Sequence, residues 1–223
     1  MKKTAIILGA SGLTGGLLLK KIIVDDRYET IKLFSRTRIE GLPNKVQQFI
    51  GNLLELEQFR AEFKANEVYC CIGTSAKKTP DKNMYRNIDY GIPVSAAKLA
   101  KENNIATFLV VSAMGANKKS KLFYNRTKGE MEQGVLNQGI QHTSILKPSL
   151  IGGEREERRI LENIALKVFK LIQPLFFGPL KKYRIINAES IAQAMLNLAN
   201  STSNTDVIIT SLDIEQLAKS NLK

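Results

Sequence analysis

An α/β fold built on a parallel sheet, doubly wound with helices on both faces, is predicted by three observations. Short apolar runs recur along the chain, and most are followed by a stretch with helical spacing. The run Thr107-Phe108-Leu109-Val110-Val111 is apolar throughout its centre, as a strand covered on both faces must be. The segments richest in glycine, serine and proline fall just after these runs, where sheets of this kind bind ligands.

Taken in order, Thr4–Leu8 is a first strand that runs into Gly9-Ala10-Ser11-Gly12-Leu13-Thr14-Gly15, and Leu17, Leu18, Ile22 and Ile23 then recur at helical spacing. Gly9 permits the turn, Gly12 lets backbone N–H groups approach a pyrophosphate, and Gly15 lets the helix pack on the strand. The helix N-terminus adds partial positive charge. The spacing next predicts strands at Ile31–Ser35 and Val46–Ile50, a short helix over Leu54–Phe63 and a strand over Glu67–Ile72. A helix over about Met84–Asn103 carries Pro93, which is expected to kink it. Strand Thr107–Val111, a helix over Lys121–Asn137 and a strand over Thr143–Leu146 follow. The whole reads as one Rossmann-type domain, residues 1–223, with 153–223 contributing a small cap on the substrate side. Within that cap, Ala188–Asn200 is a helix with Ile191, Met195 and Leu198 on its packed face, and Ile160–Phe177 is expected to wall an apolar pocket.

Composition bounds the function classes. The chain has 223 residues, 43% of them hydrophobic and 24% charged, enough for a substantial core. Its net charge of +12 suits anionic ligands, nucleic acid or acidic membranes. The basic residues are scattered, however, and no nucleic-acid-binding motif accompanies them, so specific nucleic-acid binding is not expected. No apolar run reaches the about 18–20 residues that span a bilayer. Cys70 and Cys71 are adjacent in a strand and point to opposite faces, which fits neither a disulfide nor a metal site. With Met1-Lys2-Lys3 leading straight into the first strand, a cytoplasmic location is the expectation. Asp25-Asp26, Glu154–Glu157 and the single histidine, His142, read as solvated or structural.

Tyr124 and Lys128 stand four apart in a predicted helix and share a face, and Ser112 sits just past the Thr107–Val111 strand. A tyrosine hydroxyl titrates near 10 and needs a neighbouring cation to move protons at neutral pH. Lys128 supplies that cation. Tyr124 would then exchange a proton with a substrate oxygen while Ser112 holds that oxygen in place. A core tyrosine with Lys128 passing alongside it is the structural alternative.

With these residues in view, the chain resembles the short-chain dehydrogenase/reductase superfamily. The likeness is to its compact atypical branch, that of the Tat-interacting protein of 30 kDa. The carrying segments are Gly9–Gly15, Cys70-Cys71-Ile72-Gly73-Thr74, Val111–Ala116, Tyr124–Glu130 and Lys147-Pro148-Ser149-Leu150-Ile151-Gly152, within roughly residues 3–200. The resemblance implies a nicotinamide cofactor and a catalytic set of Ser112, Tyr124 and Lys128, with Lys128 also reaching the cofactor ribose. It further implies cofactor contacts from Gly9, Ser11, Gly12, Leu13, Thr14 and Gly15, from Cys71, Ile72, Gly73 and Thr74, and from Pro148, Ser149 and Leu150. Asn52 and Leu53 stand where relatives contact adenine, although many carry Asp where this chain has Asn52. The catalytic Asn of larger relatives has only Asn87 as a weak counterpart.

At the end of the second strand, Ser35-Arg36-Thr37-Arg38 offers guanidinium groups where NAD-preferring folds carry an acid. NADP(H) is therefore expected over NAD(H), with Arg36 and Arg38 as phosphate contacts. Ser35 and Thr37 either join them or cap a turn. The expected function is an NADPH-dependent oxidoreductase acting on a carbonyl or hydroxyl of a small, partly apolar substrate. The alternatives are a cofactor-binding regulator or scaffold and an epimerase- or dehydratase-like enzyme on a nucleotide sugar. No metal is called for. Peripheral membrane contact is disfavoured, and monomer and homodimer stay open.

Overall fold

The strands fold where the apolar runs lie, and helices cover both sides of them. The computed structural model describes residues 2–152, 184–201 and 207–220. Its strands are β1 (Lys3–Leu8), β2 (Tyr28–Ser35), β3 (Val46–Ile50), β4 (Glu67–Cys70), β5 (Thr107–Val111), β6 (His142–Lys147), β7 (Ile151–Gly152), β8 (Ile186–Asn187) and β9 (Ile208–Thr210). Its α-helices are α1 (Leu13–Ile23), α2 (Lys82–Arg86), α3 (Ile92–Glu102), α4 (Phe123–Leu136), α5 (Ala188–Ala199) and α6 (Ser211–Lys219). Seven strands form one sheet in the order β3-β2-β1-β4-β5-β6-β9, and each neighbouring pair is parallel. β7 and β8 make a separate two-stranded ladder. The order reverses between β1 and β4, so a crevice opens there at the carboxyl ends of the strands.

Alternation along each strand builds two cores. Ala5 and Ile7, Ile31 and Leu33, Tyr69, Leu109 and Leu146 face one way, onto Leu18 and Ile22 of α1, Ile191 and Met195 of α5, and Ile214 of α6. Ile6 and Leu8, Phe34, Val68 and Cys70, Phe108, Val110 and Ile145 face the other, onto Ala96, Ala97, Leu99 and Ala100 of α3 and Met131 and Val135 of α4. The period of two assigns each strand residue its side, and the wholly apolar centre of β5 feeds both. Cys70 and Cys71 follow the same rule, with the Cys71 thiol 3.8 Å from the Met195 sulfur on the opposite side from Cys70.

Several expected elements take a different form. The fourth strand ends at Cys70, and residues 71–73 leave the ladder to become loop at the crevice. The expected helix over Leu54–Phe63 is a 3-10 stretch, Leu53–Phe59, broken at Glu55 (φ −113°, ψ 43°). There the Gln58 amide donates to the Asn52 and Glu55 carbonyls and so competes with regular helix bonds. The helix expected from Met84 starts at Lys82, capped by the Asp81 side chain, and passes through a π turn at Asn87–Gly91. Pro93 lies in the first turn of α3, just past it. Proline has no amide for the Asp89 carbonyl four residues back, and the wider turn accommodates that loss.

The C-terminal third is not all cap. β9 extends the sheet and α5 packs on α1, so these described residues complete the domain itself. β9 and α6 escape the sequence reading, although Thr210 and Asp213 form a capping box that signals the helix start. The expected lid, Ile160–Phe177, lies outside the described residues.

A polar cluster closes the edge of the sheet opposite the crevice. The Asn200 amide donates to the Tyr28 hydroxyl at 2.7 Å, the Tyr28 and Tyr69 hydroxyls are 2.9 Å apart, and Tyr69 donates to Glu67 at 3.1 Å. Lys3 donates to Asn200 Oδ1 at 2.8 Å and pairs with Glu67 at 3.4 Å. Glu67 is 1% exposed, and burial holds its carboxyl above the ordinary range against the pull of Tyr28, Lys3 and Tyr69. The folded state therefore binds this proton more tightly than the unfolded chain. The site's contribution to stability is greatest below the ordinary carboxylate pKa, about 4.3, and declines as pH rises through the folded value. Thermal unfolding of wild type and Glu67→Gln should show that decline in the wild type only. Parallel pH dependences would mean the carboxyl is not perturbed.

Candidate active site

The crevice begins with the turn between β1 and α1. Gly9 has φ +85°, and a Cβ there would lie 2.8 Å from the Cys71 carbonyl oxygen of the neighbouring β4 loop. A Cβ on Gly15 would lie 2.2 Å from the Gly9 oxygen, so α1 stands as close to the turn as backbone allows. Gly12 caps α1 without a side-chain hydrogen bond, and the first turn of the helix holds no acid. The helix thus presents its N–H groups and the positive end of its dipole to the crevice, an arrangement that fits a phosphate group. Thr14 is buried, and Ser11 is exposed on the loop.

Around this cradle, the β2 end carries Arg36 and Arg38, both exposed, and neither pairs with a carboxylate among the described residues. Ser35 donates its hydroxyl to the Thr37 carbonyl at 2.7 Å, so it shapes the turn and is not a free donor. The Asn52 side chain accepts from the Leu54 amide at 3.1 Å and donates to Glu55, which makes it a cap, and the Leu53 side chain is in the core. A cofactor contact from this pair would come from backbone. Cys71 and Ile72 likewise turn their side chains to the two cores and offer backbone to the crevice.

Lys128 is 5% exposed and lies in the crevice wall, with its ammonium 2.9 Å from Asp89 Oδ1. The other Asp89 oxygen accepts from the Thr74 backbone amide at 2.7 Å. Tyr124, one turn earlier on α4, is 43% exposed and meets the Tyr85 ring edge-on at 6.4 Å. The Tyr85 hydroxyl is buried without a hydrogen-bond partner among the described residues. The lysine pulls the Tyr124 pKa down as expected, but partial burial outweighs it and Asp89 opposes it, so the hydroxyl sits above 10. Without cofactor, Tyr124 is a proton donor rather than a phenolate.

Ser112 is buried where β5 ends, and its hydroxyl donates to Glu132 Oε1 at 2.5 Å. Glu132 Oε2 pairs with Lys147 at 2.9 Å, and Lys147 also donates to the Ala116 carbonyl at 3.1 Å. With its proton given to Glu132, Ser112 has only lone pairs left to offer another group. Pro148 is buried and its carbonyl accepts from the Met114 amide at 2.9 Å, which ties the β6 loop to the β5 loop. The Ser149 hydroxyl donates to the Arg184 carbonyl, whereas Leu150 is 56% exposed.

The expected set is thus partly assembled and partly corrected. Gly9–Gly15, Gly73-Thr74, Ser112 and Lys128 line the crevice at the β1/β4 reversal or just beside it, with Tyr124 one helical turn from Lys128. Asn87 is exposed, and the neighbouring acid that reaches Lys128 is Asp89. The π turn hides this from any helical period, because one inserted residue rotates everything after it by about 100°. Glu132 was legible in principle, since it continues the four-residue stripe of Tyr124 and Lys128.

A doubly wound sheet with a glycine cradle at its switch point defines a dinucleotide-binding protein. The chain belongs to the NAD(P)H-binding family, whose sequence model matches residues 9–169. Protein FMP52 of Debaryomyces hansenii, named mitochondrial, is 31% identical over 88% of this chain and 88% of its own. Rat protein HTATIP2 is 32% identical over 75% of this chain and 70% of its own. The fold is shared with the UDP-glucose 4-epimerase of Thermotoga maritima (TM-score 0.69, 13% identity, 97% of this chain and 81% of that one). It is shared equally with the L-threonine dehydrogenase of Clostridium difficile (TM-score 0.67, 17% identity, 94% and 76%). The atypical short-chain dehydrogenase/reductase resemblance, the α/β class and a nicotinamide cofactor therefore stand.

The cytoplasmic expectation does not. FMP52 of D. hansenii and that of Candida albicans, 34% identical over 72% of this chain and 72% of its own, are both named mitochondrial proteins. The expectation leaned on the short lead before the first strand and on two cysteines without a disulfide, and such thiols fit any reducing compartment.

The glycine geometry separates binding from stability. Gly15→Ala should destabilise the fold by about 1–3 kcal/mol, because backbone must move to admit the methyl. Gly12→Ala faces only a 3.2 Å approach to the Gly9 oxygen at an ordinary φ of −84°, so it should keep its Tm and lose cofactor affinity. Calorimetric titration with NADPH beside thermal unfolding checks both, and equal affinity in the Gly12 variant would remove the phosphate from this cradle.

Proposed function

We propose that this protein is an NADP(H)-dependent reductase of a carbonyl group on a small, partly apolar substrate. The observation that carries the reading is Tyr124, protonated and half-exposed, one helical turn from the buried Lys128 beside the cofactor crevice. A bound nicotinamide supplies the hydride. The chain's own residues bind, orient and move the proton. Amide groups at the start of α1, with Gly9, Gly12 and Gly15, hold the pyrophosphate. Ser11 and Thr14 stand beside them as hydroxyl donors. Lys128 would hold the nicotinamide-side ribose, with the loops Cys71–Thr74 and Pro148–Leu150 supplying the flanking contacts. Tyr124 donates its hydroxyl proton to the substrate oxygen as negative charge develops there. Ser112, fixed by Glu132, orients that oxygen's surroundings. The exposed Leu122 and Leu150 side chains (66% and 56%) supply apolar surface on the loops at this edge.

The NADP preference rests on the β2 end. Arg36 and Arg38 are exposed, without a carboxylate partner among the described residues, and no acid stands there to repel a 2′-phosphate. Arg36→Ala should weaken NADPH binding at least tenfold and leave NADH binding within about twofold, since a charge-assisted hydrogen bond contributes roughly 1.5–3 kcal/mol. Calorimetry with both cofactors checks this, and equal affinity of the wild type for the two refutes the preference.

Tyr124→Phe removes the proton donor and keeps the ring. In a screen of carbonyl compounds followed by NADPH absorbance, it should lower turnover by at least about 100-fold with cofactor affinity unchanged. Near-normal turnover by the Phe variant would take Tyr124 out of the reaction. Tight cofactor binding with no turnover of any carbonyl by the wild type would favour a cofactor-sensing role.

A further inference from the structure

The Tyr-x-x-x-Lys pair of this chain has a third member. We propose that Asp89 is a positioning residue of the site, a buried carboxylate that clamps the Lys128 ammonium and the Thr74 amide together and offsets the pull of that ammonium on the Tyr124 proton. The inference deepens the reductase reading, and it rests on that reading only for the meaning of the proton.

The geometry comes first. Asp89 is fully buried, and its two oxygens are divided, Oδ1 at 2.9 Å from Lys128 Nζ and Oδ2 accepting from Thr74 at 2.7 Å. One side chain thereby joins three elements at the switch point, namely the β4 loop, the π turn and α4. A Cβ on Gly73 would lie 3.6 Å from Asp89 Oδ1 and 3.7 Å from Lys128 Nζ. Gly73 is exposed and has no side chain, so only its main chain stands over that side of the buried pair. A ligand reaching Lys128 across Gly73 meets a lysine already paired and already aimed.

The electrostatics follow. Among the described residues, Lys128 and Asp89 are the charged groups acting on Tyr124, Tyr85 is the titratable ring beside it, and Cys70 of β4 neighbours Lys128. An isolated ammonium beside a phenol favours the phenolate. A carboxylate 2.9 Å from that ammonium cancels most of its field, so the two act on Tyr124 as a dipole. The sign agrees with the site, where burial does most to raise the Tyr124 pKa, Lys128 lowers it, and Asp89 opposes Lys128. A lysine without Asp89 would have made Tyr124 a better base and a poorer acid.

The test needs neither substrate nor cofactor. Phenolate formation is followed by ultraviolet absorbance against pH in the full chain, with Tyr124→Phe in each background to isolate Tyr124 by difference. In Asp89→Asn, Tyr124 should ionise at lower pH than in wild type, with more phenolate at a given pH. In Lys128→Met it should ionise higher. A merely structural Asp89 would not move the two variants in opposite directions. A folded Asp89→Asn whose Tyr124 titrates as in wild type, or moves with Lys128→Met, overturns the proposal. The clamp is also checked in the unmutated chain by NMR of protein labelled at lysine Nζ. One ammonium signal, lost in Lys128→Met, should be shielded from water exchange, and its absence overturns the clamp even if Asp89→Asn does not fold. A positive titration with no turnover of any carbonyl would leave the clamp standing and remove the reductase reading.

Discussion

The contact on which this molecule depends is the approach of α1 to the turn that precedes it. Only hydrogen at Gly15 fits beside the Gly9 carbonyl, and only hydrogen at Gly9 fits beneath the Cys71 carbonyl. These two approaches seat the helix directly over the β1/β4 reversal. Everything else in the site is placed relative to that seat. β4 delivers Gly73 and Thr74, β5 delivers Ser112, and α4 lays Tyr124, Lys128 and Glu132 along one face.

Much of this was legible in the sequence. The strands announced themselves because each lies between two apolar layers, and the glycines because they fall where a strand becomes a helix. Tyr124 and Lys128 could be paired because four residues on a regular helix make one turn. The same logic fails where the backbone departs from regularity. Asp89 is hidden behind a π turn, and no periodic template places it beside Lys128. β9 is three residues long and reads as loop until its ladder partner, β6, is known. Ser35 and Asn52 look like ligands in the sequence, yet local backbone donors and acceptors claim them first.

Two polar groups of the crevice are each paired with a carboxylate, Lys128 with Asp89 and Ser112 with Glu132. Burying a carboxylate and an ammonium together is a poor way to gain stability, because desolvation offsets most of their attraction. Such pairs hold side chains in one orientation without help from a loop. The two differ in what they leave open: Lys128 keeps a side toward the crevice past Gly73, while Ser112 has turned its proton inward.

The cluster at the other edge of the sheet bears on how the chain comes together in time. Lys3 bonds to Asn200, 197 positions later, and Asn200 also anchors Tyr28. The first strand emerges early in synthesis, but its terminal lysine and the Tyr28 hydroxyl lack their Asn200 partner until α5 has been made. Contacts of such long sequence separation carry a large closure entropy and form late. A growing chain can gather β1 to β5 around the cradle, yet it carries an open polar seam until its last fifth arrives. The cradle and the seam thus mark the two ends of one folding sequence, the first local and the second joining the start of the chain to its end.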